Sequence, residues 1–79
     1  MSTVLKEPIK VIAVFDNGVK PVKFKWKGRV YPVKEITYAW TSKEGDSRIM
    51  HFSVSDGAAL YEITYDSSAL KWSLEGVQA

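Results

Sequence analysis

Seventy-nine residues without a cysteine, carrying one histidine and a net charge of +2, describe one small domain. They exclude a disulfide framework and a cysteine metal site, and a single histidine argues against zinc. No apolar run is long enough to span a membrane and no stretch reads as a signal peptide, so a cytoplasmic domain with no cofactor and no membrane partner is expected. The modest net charge hides an asymmetry. Residues 1–34 carry eight Lys/Arg against two Asp/Glu, net +6, while residues 35–79 carry three against seven, net −4. Such a division predicts a directional surface or head-to-tail self-attraction.

Residues 1–8 have no clear period, and Pro8 discourages a helix before it, so a loose arm is expected. Residues 9–15 are a nearly continuous apolar run rich in β-branched side chains and read as a strand. Asn17-Gly18 supplies a two-residue type I′ loop after it. That register sets Ala13 against Val22 and Val11 against Phe24. Ile12 and Val14 then fall on the other face beside Pro21 and Lys23.

From Val22 the alternation is strict: Val22, Phe24 and Trp26 are apolar, Lys23, Lys25 and Lys27 are charged. Gly28 permits a tight turn, and a Lys27-Gly28 loop pairs Trp26 with Arg29, Lys25 with Val30, Phe24 with Tyr31 and Val22 with Val33. A one-residue slip would lose the apolar match. At the tip, Arg29 is expected over the Trp26 indole. Pro32 has no N–H to give, which predicts an interrupted ladder or an edge beyond it.

After Val33 the apolar phase changes to Ile36, Tyr38 and Trp40, and a β-bulge near Lys34-Glu35 would return all three to the core face. Residues 41–47 read as a polar, mobile loop. Residues 48–55 alternate with Met50, Phe52 and Val54 inward. A two-residue Asp56-Gly57 turn then pairs Phe52 with Tyr61, Met50 with Ile63 and, on the opposite face, His51 with Glu62. Residues 59–66 alternate through Tyr61, Ile63 and Tyr65. A four-residue loop, 66–69, leads into Leu70, Trp72 and Leu74, setting Ile63 against Trp72 and Tyr61 against Leu74. Residues 77–79 are expected to fray.

The sum is all-β: about six antiparallel strands joined by hairpins, with apolar residues meeting in every register. A meander this small must curl to protect core and edges, giving a small open SH3-like barrel or a strongly curled sheet. A flatter sheet that dimerises through Ile12, Val14 and Val30 is the alternative.

The pattern Pro21-Val-Lys-Phe-Lys-Trp-Lys-Gly-Arg-Val-Tyr-Pro-Val33, followed by Trp40, by Tyr61-Glu-Ile-Thr-Tyr-Asp66 and by Trp72-Ser-Leu74, resembles a family of small bacterial domains of unknown function. That family's core is Pro-x-x-Phe-x-Trp-Arg-Gly-Arg-x-Tyr-x-Val, with Lys27 here in place of the usual Arg. The resemblance covers roughly residues 18–76. It implies a shared β fold and a bacterial origin, and it transfers no active site.

The basic hairpin is the sharpest candidate site. Lys20, Lys23, Lys25, Lys27 and Arg29 lie within ten residues, with Phe24, Trp26 and Tyr31 interleaved. Cations for phosphates and rings for bases are what single-stranded nucleic acid requires. The register turns most of the rings inward, however, and leaves Trp26, Lys27 and Arg29 at the tip as the stacking candidates. The plain reading is a solvated Lys ladder guarding an edge strand. His51 with Glu62 is the one pair resembling general-base chemistry, and no third group completes a catalytic set. Glu44, Asp46, Asp56, Glu62 and Asp66 sit mostly in turns, with a spacing that fits no calcium loop. Tyr31, Tyr38, Trp40, Tyr61, Tyr65 and Trp72 read as core, with some able to line a peptide groove. The expected function is a non-enzymatic interaction module that contacts an unknown protein partner or weakly self-associates. The alternative is a nucleic-acid-binding small barrel using Lys20, Lys23, Lys25, Trp26, Lys27 and Arg29.

Overall fold

A computed structural model describes residues 2–78, with side chains described from residue 6. Seven strands, β1 (Ser2–Phe15), β2 (Val19–Trp26), β3 (Arg29–Pro32), β4 (Glu35–Glu44), β5 (Ser47–Ser55), β6 (Leu60–Asp66) and β7 (Lys71–Gln78), make one antiparallel sheet in the order β3-β2-β1-β7-β6-β5-β4. No helix occurs among the described residues. The sheet curls strongly into an open half-barrel, the curled form of the expected fold, with one strand more than counted from the sequence.

The curl comes from β1. Its first half pairs with β7 as far as Ile9 opposite Trp72, and its second half pairs with β2 from Lys10 opposite Lys25. One long strand thus belongs to two flanks of the sheet in succession. The arm expected to be loose is therefore part of β1, and the tail expected to fray runs as strand to Gln78, because Ser2 and Gln78 pair with each other. An isolated reading of residues 1–8 misses this, since the period is interrupted by a bulge between Val4 and Glu7.

β3 and β4 are consecutive in the chain yet lie at opposite edges of the sheet. Two successive amides make the crossing. Val33 N–H donates to the Val22 carbonyl at 2.9 Å, and Lys34 N–H donates to the Ser55 carbonyl at 2.8 Å. The two edges are pinned at that corner, while the β3 and β4 strands themselves do not touch.

Inside the curl lie Phe24, Phe52, Val54, Tyr61, Ile63 and Leu74, flanked by half-buried Val11, Trp26, Tyr31 and Trp72. Phe24 is 1% exposed and stacks on Tyr31 at 5.2 Å while meeting Tyr61 edge-on at 5.3 Å. Offset and edge-on ring contacts of this kind add about 0.5–1.5 kcal/mol beyond the area they bury.

The β2–β3 hairpin has the expected register throughout, with Lys27 at φ 50° and Gly28 at φ 77° in the turn. β3 is an edge, one of the two outcomes expected from Pro32. Other turns differ. The β1–β2 connection is three residues long, with Phe15 opposite Val19, and a bulge at Val22 restores the expected pairing of Val11 with Phe24. The bulge turns Pro21 into the core and leaves Val22 outside. Asp56 and Asp66 each fold their side chains back onto the chain. The Asp56 carboxylate accepts from the amides of Ala58 and Ala59, both at 2.9 Å, and that of Asp66 accepts from Ser68 at 2.9 Å and Ala69 at 3.1 Å. Each Asx turn makes a four-residue loop, 56–59 and 67–70. Phe52 therefore meets Ile63 rather than Tyr61, Met50 meets Tyr65 rather than Ile63, Ile63 meets Leu74 rather than Trp72, and Leu70 sits exposed in the turn at φ 56°. The β5–β6 registers move by two, so the core face predicted for each strand survives.

β4 carries the largest correction. Its bulge lies at Thr37, not at Lys34-Glu35, and the Thr37 hydroxyl donates to the Ser53 carbonyl at 3.1 Å. Only Ile36 of the expected trio points inward. Beyond the bulge the phase inverts, so Tyr38 and Trp40 face out. The segment expected as a mobile loop is strand up to a two-residue turn at Gly45-Asp46.

Candidate interaction surface

The six residues of the basic hairpin fall into two groups. Lys20, Lys23 and Lys25 of β2 stand on the outer face of the sheet, exposed. Trp26, Lys27 and Arg29 gather at the hairpin tip. Trp26 belongs to the inner side: it is half-buried, tilts against Tyr31 at 6.0 Å and donates its indole N–H to Glu7 Oε1 at 3.2 Å. Lys27 Nζ lies 5.1 Å from the Trp26 ring centre. Arg29 sits over Tyr31 at 5.8 Å, not over Trp26. Because Arg29 is opposite Trp26 in the ladder, its long side chain leans along the strand onto the neighbouring ring two residues away.

The register shows what surrounds the outer lysines. Lys25 is opposite Lys10 on β1 and Val30 on β3, Lys23 is opposite Ile12 and Pro32, and Lys20 is opposite Val14. No acidic residue stands across the ladder from any of the four. Ile12 and Val30 are 57% and 59% exposed. Together these residues line a shallow groove of about 340 Å³ whose floor is Val11 and Phe24. A second groove of about 320 Å³ shares Lys10 and Lys25 and runs on toward Lys27 and Gly28 at the tip.

Lys10 is the residue that sequence reasoning left out of this surface. The signal was present: with Val11 opposite Phe24, the neighbouring pair is necessarily Lys10 and Lys25. It was overlooked because residues 9–15 read as an apolar run rather than as two alternating faces.

The far side of the sheet holds a different cluster. His51 is opposite Trp40 on β4 and Thr64 on β6, so the expected His51–Glu62 pair does not form; Glu62 is opposite Ser53 and Gly76. The imidazole stacks on Trp40 at 4.8 Å with ring planes 9° apart, and Nε2 shares a hydrogen bond with Ser42 Oγ at 2.7 Å. Nδ1 is buried without a hydrogen-bond partner. Thr64 Oγ1 donates to Glu75 Oε2 at 3.3 Å nearby. Among the described residues no group of three His, Cys, Asp or Glu is placed to hold a metal ion, and no helix is long and apolar enough to cross a membrane.

No protein-family model, curated protein or solved structure matches the chain.

Proposed function

We propose that the protein is an interaction module that takes an acidic, partly apolar segment of a partner protein on the outer face of β1–β3. The carrying observation is Lys10 directly opposite Lys25, in a ladder that gives the lysines only lysine, aliphatic and proline neighbours. Like charges facing each other on adjacent strands cost stability. They become favourable when a ligand brings carboxylates between them. Exposed Ile12 and Val30 beside the lysines ask for apolar contact as well as charge.

A single-stranded nucleic acid is served less well. Base stacking needs exposed rings among the cations, and Phe24, Trp26 and Tyr31 are turned to the core side.

The test is an amide NMR titration of labelled protein with a Glu- and Leu-containing peptide and, separately, with a mixed-sequence single-stranded DNA, at low and moderate salt. The peptide is expected to shift Lys10, Ile12, Lys23, Lys25 and Val30 and to keep part of its affinity as salt rises, because apolar contact is not screened. Shifts with DNA alone, centred on residues 20–31 and vanishing with salt, would replace this reading with the nucleic-acid one. Silence with both ligands would remove the surface from consideration.

A further inference from the structure

The outer face of β4–β7 carries two aligned rows of side chains. Trp40, His51, Thr64 and Ser73 stand opposite one another across the four strands, and Ser42, Ile49, Asp66 and Lys71 make the next row. Among the described residues no second layer packs over this face. Ile49 and Thr64 are nevertheless each only 8% exposed. They form the floor of a hollow of about 190 Å³. His51, Ser73 and Glu75 contribute to its walls, and the longer side chains of Lys6, Glu44 and Lys71 complete them.

The wall is held in place by contacts within the chain. Ser42 bonds His51 Nε2 at 2.7 Å and Trp40 stacks on the same ring at 4.8 Å. Thr64 Oγ1 donates to Glu75 Oε2 at 3.3 Å. Asp66, although opposite Lys71, accepts the amides of Ser68 and Ala69 with one carboxylate oxygen. One atom of the wall is unmatched: His51 Nδ1 is buried without a hydrogen-bond partner. Such atoms are scarce in folded proteins.

We propose that this hollow takes a neutral polyhydroxylated ligand, a single sugar ring, with its hydroxyls on Thr64, Ser73 and the charged groups around them and its C–H face on the imidazole that Trp40 backs. Charge selects a neutral ligand. The lining carries Lys6 and Lys71 against Glu44, Asp66 and Glu75, so an anion meets three carboxylates and a cation meets two ammonium groups. A hydroxyl both donates and accepts, and it is matched by either sign and by the two wall hydroxyls. Size agrees. At ~30 Å³ per water, the hollow has the volume of about six waters, which is the size of one sugar ring. The aromatic residues agree as well. Tyr38 is 66% exposed and lies 5.2 Å from Trp40, so ring surface continues past the hollow to where the next sugar of a chain would lie. The site is separate from the lysine face, which belongs to β1–β3 on the other flank of the sheet.

The test is an amide NMR titration of the intact labelled chain with the methyl glycosides of glucose, galactose, mannose and N-acetylglucosamine, and with cellotriose and chitotriose. Acetate, arginine and adenosine serve as the charged and nucleoside alternatives. At least one sugar is expected to shift Ile49, His51, Thr64 and Ser73 in the millimolar range, as suits a ligand this small. The shifts should be the same at low and moderate salt, since a neutral ligand is not screened. Thr64→Val keeps the branched shape and removes the hydroxyl; it and Ser73→Ala should each weaken binding roughly three- to tenfold. Lys25→Glu, on the other flank, should leave it unchanged. A trisaccharide that binds more tightly and also shifts Tyr38 assigns the ring to a glycan chain, and equal binding of single and triple rings assigns it to a free sugar. No shift in the hollow with any of the sugars at tens of millimolar overturns the proposal. So does a larger response to acetate, arginine or adenosine, and so does a sugar affinity untouched by both Thr64→Val and Ser73→Ala.

Discussion

Tyr61, deep in the core, donates its hydroxyl hydrogen bond at 3.0 Å to Asp56, the residue that shapes the loop between β5 and β6. The other Asp56 oxygen accepts the amides of Ala58 and Ala59. One carboxylate thus ties a loop to the packed interior. The amide of Ala58, then that of Ala59, with help from the Tyr61 hydroxyl, holds the Asp56 carboxyl below its ordinary 3.8. A depressed carboxylate stabilises the fold at pH values above its unfolded value and loses that contribution as pH falls through its folded value. Asp56→Ala is expected to cost about 1–2 kcal/mol near neutral pH. The penalty should shrink in melts recorded below pH 3.8. A penalty that stays constant across the acid range would mean that the carboxylate charge is not what matters.

The same contact has an alkaline counterpart. Burial, reinforced by the hydrogen bond and the negative charge of Asp56, pushes the Tyr61 phenol from 10.0 up to about 12. A raised phenol favours its neutral form in the folded state, so its contribution is complete below 10.0 and disappears as pH rises toward 12. Ultraviolet titration should find one tyrosine ionising later than an unburied phenol, and Tyr61→Phe should remove that step. A phenol that titrates near 10.0 in the folded protein would contradict the burial described for Tyr61.

Outside β4, strand faces were legible in the sequence, and loops only in part: the two-residue Lys27-Gly28 turn and a four-residue β6–β7 loop are found, the latter one residue further on than expected, while the β1–β2 and β5–β6 loops are longer than expected. Phe24 opposite Tyr31 follows from alternation and one tight turn, and it is found as expected. Phe52 opposite Ile63 does not follow, because Asp56-Gly57 resembles a two-residue hairpin signal while the Asp56 side chain organises a longer loop. The error is an even number of residues, so each side chain keeps its face. Bulges are less forgiving, since one extra residue inverts everything after it. Tyr38 and Trp40 were read as core for that reason, and Pro21 as surface. The lysine face was visible as a charge pattern. Its completion by Lys10 depends on a long-range register, and the open β4 edge is a property of strand order that no local pattern reports.

Trp26 ties the basic hairpin to β1 through its indole N–H bond to Glu7. Trp26→Phe keeps a ring against Tyr31 but removes that bond, and it is expected to cost about 1 kcal/mol. For a domain of this size that is roughly 4–8 °C in Tm. Glu7→Gln retains an acceptor and should cost less. Equal losses from both substitutions would assign the effect to charge rather than to the hydrogen bond.

Lys25→Glu separates stability from binding. Lys25 faces Lys10 across the β1–β2 ladder, so a carboxylate there converts a repulsive pair into an attractive one. The gain is expected to be about 0.2–1 kcal/mol at low salt and to shrink as salt rises, since the pair is exposed. The same substitution places a negative charge in the groove lined by Ile12, Lys23 and Val30. Peptide affinity should therefore fall while Tm rises. A solvated lysine ladder with no ligand would show the rise in Tm and leave nothing to lose in binding. A residue needed only for folding would move both in the same direction. Measuring Tm and peptide shifts on one sample of Lys25→Glu, with Lys10→Glu as its mirror, distinguishes the three cases, because the pair is symmetric in the ladder and both variants repair it equally.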